Sequence, residues 1–371
     1  MDADVAIVGT GPGGGMAACM LAATGLKTIV LEKSALPRPK ACGGAMPDQM
    51  RQIISWNFDD VIECRVSLVK NLLNHSAEAI LQEVASPILL VNRARFDHHF
   101  IERALALGKD ATRLREGFRV SHVREDETGV TIRGLDGSEV RARYLIAADG
   151  AYSQTARSLG LDRGPSACVA LDAEVEVTPE VYATEKDRVT FNYYCLPNGY
   201  GWIFPKAGIL SCGVGAWKGR VDLRQALDDF LARSFPKGSI RSVRISGQAI
   251  PLYSGSRTLA TRRVFLAGDA ASLVDPILGE GIRFAVISGG LAAKLVHEHF
   301  ESGADISTVY QQEIARLLGR SLDRLLRFVS PVFLQAPDFY YRRFIREGNS
   351  YVSPGQQIAA TASAFPAARQ Q

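Results

Sequence analysis

One short stretch constrains this chain more than any other. Asp4-Val5-Ala6-Ile7-Val8 reads as a buried strand and runs directly into Gly9-Thr10-Gly11-Pro12-Gly13-Gly14. Glycine at 9 permits a tight turn, at 11 lets backbone approach a pyrophosphate, and at 14 lets the next helix pack close to the strand. Met16, Ala17, Ala18, Met20 and Leu21 continue as that helix, whose N-terminus offers free N–H groups and partial positive charge to phosphates. Thr28-Ile29-Val30-Leu31 is the next strand and ends at Glu32, 18 residues past Gly14. That is close to the roughly 20-residue spacing of an acid that accepts from a ribose hydroxyl. A glycine-rich turn alone would be unspecific; strand, turn, helix, strand and acid in this order predict a Rossmann-type dinucleotide-binding unit.

The chain has 371 residues, room for about two domains. Hydrophobic residues are 47% and charged residues 22%, which allows a sizeable core. A net charge of +4 gives no reason to expect a nucleic-acid partner. No apolar run reaches ~18 residues, so no transmembrane helix is expected. The N-terminus has no basic, cleavable leader, which points to the cytoplasm. Six cysteines (19, 42, 64, 168, 195, 212) occur without CxxC pairs, against a disulfide framework or a structural zinc site and in keeping with a reducing compartment. His297-Glu298-His299 is not expected to hold a metal, because helical residues two apart point to different sides.

Further along, a polar stretch from Ser34 to Lys40 leads into Ala41-Cys42-Gly43-Gly44. Residues 92–107 carry Phe96, Phe100, Ile101 and Leu105 at helical spacing. Strands are predicted over 118–123, 129–135 and 139–146, and residues 168–250 are strand-rich, as in an antiparallel sheet with one apolar face. Val264-Phe265-Leu266-Ala267 reads as a returning buried strand, and 282–300 as a long helix. The predicted architecture is α/β: a Rossmann-type cofactor domain from 1–70, 88–167 and 251–300, and an antiparallel-sheet substrate domain from 71–87 and 168–250. A helical C-terminal region (301–352) and a disordered tail (353–371) follow. Arg316, Arg320, Arg324 and Arg327 recur every three or four residues among leucines. Such a helix can lie on an anionic membrane, although leucines packed inward with solvated arginines is the commoner arrangement.

Four further motifs carry a resemblance. They are Lys40-Ala41-Cys42-Gly43-Gly44; Arg93 with Phe96-Asp97; Tyr200-Gly201-Trp202-Ile203-Phe204-Pro205-Lys206; and Gly268-Asp269 through Asp275-Pro276 to Gly279-Glu280-Gly281-Ile282. With the glycine turn they resemble the geranylgeranyl reductase family of para-hydroxybenzoate-hydroxylase-like flavoproteins, over roughly residues 1–300. The resemblance implies bound FAD, with Gly9, Gly11, Gly13 and Gly14 at the pyrophosphate and Glu32, with Lys33 beside it, at the adenosine end. It implies Cys42 and Gly43 beside the isoalloxazine, Arg93 near the phosphate–ribitol region, and Asp269 on the ribityl chain. Gly281 and Ile282 would offer backbone N–H groups to the flavin N1–C2 edge, where a helix N-terminus can stabilise the reduced anion. Tyr200, Trp202 and Phe204 share a strand face. By themselves they read as packed sheet surface, and Lys206 as a strand-end cation. The resemblance implies instead an apolar tunnel wall for an isoprenoid chain, with Lys206 at a phosphate or carboxylate head group. Asp149, Gly150, Ser153 and Arg157 read as a strand-to-helix cap.

The activity so implied is reduction of C=C bonds in a polyprenyl chain, by hydride from reduced flavin N5 followed by protonation. Positioning and a proton donor must carry such a reaction, and Cys42 and Tyr200 are the candidate donors. A monooxygenase acting on an aromatic or protein side chain, and a maturation or partner flavoprotein, are the alternatives. The chain lacks the WxWxIP pattern of flavin halogenases. The single dinucleotide fingerprint is taken by FAD, so electrons are expected from an external donor, NAD(P)H or a ferredoxin.

Overall fold

A computed structural model describes residues 1–161, 167–217, 221–255 and 257–347. The expected disordered tail lies outside the described residues. The chain opens with β1 (Ala3–Val8), α1 (Pro12–Ala22) and β2 (Thr28–Leu31), then crosses to β3 (Ala45–Pro47), β4 (Ile62–Leu73) and β5 (Ile80–Val91). It returns through α2 (Arg93–Gly108), β6 (Thr112–Arg115), β7 (Val120–Glu125), β8 (Val130–Gly134), β9 (Glu139–Ala147) and α3 (Gln154–Ser158). Next come β10 (Ala167–Val177), α4 (Pro179–Glu185), β11 (Arg188–Tyr193), β12 (Gly199–Pro205), β13 (Leu210–Ala216), α5 (Leu223–Ser234) and β14 (Ile240–Pro251). β15 (Val264–Leu266) and α6 (Ile282–Glu298) complete the body.

Two sheets result. The first runs β6-β2-β1-β9-β8-β7, with β15 also pairing β9. Its centre is parallel, β1 lying between β2 and β9. Val5, Ala6 and Ile7 are fully buried, as a parallel strand covered on both faces must be. The second sheet runs β14-β10-β13-β12-β11-β4-β5-β3, antiparallel except where β11 meets β4. Its β4–β5 hairpin is longer than the 71–87 segment assigned to this unit by sequence pattern. Register shifts in that pairing blur the alternation that would have marked both strands.

All seven residues of β12 are buried, because each face of the second sheet is covered. On one face Ala173, Val175, Ile203, Cys212 and Val214 pack with Leu227, Phe230 and Leu231 of α5. On the other, Cys168, Ala170, Tyr200, Trp202 and Phe204 face a cluster completed by residues 325–345, including Phe333, Tyr340 and Tyr341. Residues 307–335 and 337–346 are helical, alternating α turns with π segments at Ala315–Gly319, Leu325–Val329 and Tyr341–Arg346. Leu317, Leu318, Leu322 and Leu325 are buried, whereas Arg316, Arg320, Arg324 and Arg327 are exposed. Among the described residues no helix is long and apolar enough to cross a membrane, no acid, histidine and cysteine cluster could hold a metal, and the six cysteines are free.

Candidate functional site

The glycine turn is tightly closed on its protein side and open on the other. Gly9 has φ +96°, and a Cβ there would lie 2.3 Å from the Ala148 carbonyl oxygen. A Cβ on Gly14 would lie 1.9 Å from the Gly9 oxygen, so helix and strand meet at the closest possible separation. At Gly11 a Cβ would meet only an Arg38 nitrogen at 3.9 Å, leaving room for a ligand to approach. α1 begins without a side-chain cap, so its first N–H groups remain available to an anion. α6 packs against the same helix, with a Cβ on Gly289 placed 2.0 Å from the Gly13 oxygen; in its first turn the Arg283 N–H donates to the Glu280 carboxylate at 3.2 Å.

Glu32 turns back onto the turn itself. Its Oε2 accepts from the Thr10 N–H (3.0 Å) and hydroxyl (2.6 Å), and its Oε1 from the Ser34 N–H at 3.0 Å. Burial works against its charge, but the Thr10 hydroxyl, Arg38 and the two amides outweigh it and hold the carboxyl below its usual pKa. Arg38 bridges Glu32 (3.4 Å) and Asp97 (3.5 Å). Asp97 also takes a two-pronged pair from buried Arg93, at 2.8 and 2.9 Å. Burial opposes the Arg93 charge, yet Asp97 and the neighbouring Cys42 sulfur keep it more firmly protonated than usual. Sequence pattern did not mark Arg38, whose loop position carries no periodic signal.

Between the sheets lies a cavity of about 490 Å³. Its walls bring together Gly11, Gly13, Cys42, Gly43, Arg93, Asp269, Gly281 and Ile282 with Tyr200, Trp202 and Phe204. From there it continues past Val69 and Phe191 to Phe344 and Ile345. Cys42 is half-buried and its sulfur accepts from the Gly44 N–H at 3.3 Å. A Cβ on Gly43 would lie 2.7 Å from the Phe204 ring, so only bare backbone fits against the aromatic wall there. The Lys40 ammonium stands 3.4 Å from Asp269. The Tyr200 hydroxyl donates to the Leu278 carbonyl at 2.5 Å, and burial raises its pKa. Gly9, Gly14, Glu32 and Lys33 lie off this wall, Lys33 being exposed. Lys206 is off it as well: its ammonium passes behind Gly44 and donates to the Val91 carbonyl at 2.5 Å.

An open glycine cradle, the uncapped N-terminus of α1 and a long apolar extension suit a dinucleotide carrying a flat ring system. Comparison with known proteins agrees. Residues 2–313 match the FAD binding domain family. A digeranylgeranylglycerophospholipid reductase of Methanosphaerula palustris is 30% identical over 353 residues, covering 86% of this chain and 84% of the relative. The chain belongs to the geranylgeranyl reductase family of FAD-dependent oxidoreductases. In fold, this reductase-family flavoprotein is similar to a geranylgeranyl bacteriochlorophyll reductase-like protein of Thermoplasma acidophilum (TM-score 0.76, 23% identity, 97% and 96% of the two chains). It is also similar to a halogenase solved with FAD (TM-score 0.71, 15% identity, 90% and 76%).

Among the acids of the flavoprotein's cavity, two buried ones are given no functional role by sequence pattern. Asp275 is buried, and its Oδ1 accepts from the Ile277 and Leu278 N–H groups at 2.7 and 2.9 Å. Burial outweighs those bonds and pushes its pKa up to about 6. Asp172, on β10, is buried with a hydrogen bond from the Ser211 hydroxyl at 2.7 Å, and burial raises its pKa too. Its one available signal was an acid at an inward position of an alternating strand. A further aromatic neighbour is Trp217, whose indole donates to the Pro276 carbonyl at 2.8 Å and whose ring lies 5.2 Å from that of Tyr200.

Proposed function

We propose that this flavoprotein reduces carbon–carbon double bonds of an isoprenoid chain lying in the cavity between its sheets. The observation that carries the reading is the continuity of the cavity, which runs from the glycine cradle to a wall of Tyr200, Trp202, Phe204 and Phe191. Such a wall gives a polyprenyl chain dispersion contacts and asks for no hydrogen bonds. When bound and reduced, FAD supplies the electrons for this chemistry. Gly9, Gly11, Gly13 and Gly14 with the α1 N-terminus hold the pyrophosphate, and Glu32 and Lys33 belong to the adenosine end. Arg93 and Asp269 secure the middle of the cofactor, and the Gly281–Ile282 backbone stabilises negative charge at the ring edge. Cys42 and Gly43 form the wall beside the ring. Tyr200 and Trp202 orient the alkene and exclude water; with its hydroxyl committed to Leu278, Tyr200 acts by position. Lys206 supports Gly44 from behind.

The reading extends to supply. Electrons come from an external donor, NAD(P)H or a ferredoxin. The outward arginines, with Phe328 70% exposed beside them, fit peripheral contact with an anionic membrane from which a lipid is collected. The test is product mass: FAD-loaded protein, a geranylgeranyl lipid and dithionite, without oxygen. Steps of about 2 Da per bond reduced are expected from hydrogen addition to each alkene. An unchanged lipid in the presence of normally reducible flavin, with oxygen-dependent gain of one oxygen atom on an aromatic substrate, would sink the reading in favour of hydroxylation.

A further inference from the structure

We propose that Asp172 is the acid that protonates the substrate carbon, an inference that rests on the alkene-reduction reading. Cross-strand register places Asp172 opposite Gly213, and Gly213 opposite Trp202. A Cβ at Gly213 would sit 2.0 Å from Trp202 Cζ2, so the indole lies over this glycine, next to Asp172 in the same cross-strand row. The missing side chain thus brings a carboxyl and an aromatic platform together on one cavity wall with Cys42 and Gly43. The other oxygen acids on the wall are engaged otherwise: Asp269 pairs with Lys40, Glu280 pairs with Arg283, and Tyr193 packs against Tyr340 and Tyr341 farther along the cavity. The Tyr200 hydroxyl donates to Leu278, and Asp275 ties down its own turn through two amides.

The groups around Asp172 suit a proton that leaves and returns. Burial raises the acid's pKa and so favours its protonated form. Ser211, Lys206 and the Trp202 indole face the carboxyl and favour the anion, whereas Glu174 on its own strand disfavours it. Cys212 on the neighbouring strand also feels the carboxyl's charge. In the balanced step the alkene takes one hydrogen and two electrons from the reduced flavin at one carbon. The Asp172 O–H bond breaks as a C–H bond forms at the other carbon. The carboxylate left behind accepts from the Ser211 hydroxyl, with the Lys206 charge acting on it from a distance, until a solvent proton returns, and the flavin is left oxidised.

The test uses the FAD-loaded full chain, a geranylgeranyl lipid and dithionite without oxygen. Asp172→Asn should hold FAD and accept dithionite electrons normally, with KM little changed and turnover down by about 100-fold or more. Ser211→Ala should move the alkaline limb of kcat to higher pH, because the hydroxyl no longer stabilises the carboxylate. Wild-type turnover in Asp172→Asn, or an unmoved limb in Ser211→Ala, overturns the assignment; if Asp172→Asn does not hold FAD, the Ser211→Ala limb decides alone. A wild-type protein that yields no reduced lipid overturns the alkene-reduction reading itself, which separates the two failures.

Discussion

An alanine methyl at position 14 would sit 1.9 Å from the Gly9 carbonyl oxygen, and that oxygen belongs to the turn that must stay open toward the cavity. Relief requires α1 to move off β1, so Gly14→Ala is expected to lose FAD on purification and to lower stability by about 1–3 kcal/mol, read from cofactor absorbance and thermal melts. Arg93 makes a different demand. It and Asp97 are both buried and pair through two bonds, so Arg93→Met strands an acid whose remaining partner is Arg38 at 3.5 Å. Urea unfolding should show a loss of about 3–5 kcal/mol, and replacing both partners with apolar residues should cost less. Single positions such as Gly9, Gly14 and Arg93 were readable in the sequence because each belongs to a short motif. Arg38 and Asp172 were not, since their partners come from other segments: Asp97 in α2, and Ser211 thirty-nine positions along the chain.

The turn that leads into α6 behaves as one unit. Asp275 accepts from two of its amides, yet burial raises its pKa from 3.8 to about 6. For an acid raised on folding, the unfolded chain ionises first as pH rises. Asp275 therefore favours the folded state fully below pH 3.8, and that contribution is lost as pH climbs through about 6. Asp275→Asn keeps the amide acceptor and should abolish this pH dependence, gaining up to about 3 kcal/mol at pH 7 relative to wild type. Urea titrations at pH 4 and pH 7 check it; an equal pH response in both proteins would count against burial as the cause. The helices over 307–346 make their own prediction. Their leucines are buried and their arginines face outward, so Arg320, Arg324 and Arg327 changed together to Glu should abolish sedimentation with anionic vesicles. Wild-type sedimentation should weaken with salt, at about 1 kcal/mol per arginine near the surface.

Across the whole molecule, the cofactor cradle is assembled from both ends of the chain. α1 near the N-terminus and α6 some 270 residues later pack on each other at Gly13 and Gly289. A ligand held by both should bind the folded state alone. Free FAD at a hundredfold excess over its Kd is expected to stabilise the protein by about 2.7 kcal/mol, visible as a higher Tm, and a Tm indifferent to FAD would contradict the shared cradle. The family resemblance carried by scattered motifs implied FAD; the sequence by itself determined the βαβ opening, the dinucleotide cradle and the α/β class. These depend on turn chemistry and periodicity within a few tens of residues, where φ, close packing and burial leave local marks. Only the tertiary structure decided which side chains face the cavity. It turned Lys206 behind Gly44 onto Val91, 115 positions earlier, and laid the Trp202 indole over Gly213 in the row that includes Asp172. Cross-strand register sets those neighbours, and register is fixed by the packing of whole sheets rather than by any segment alone.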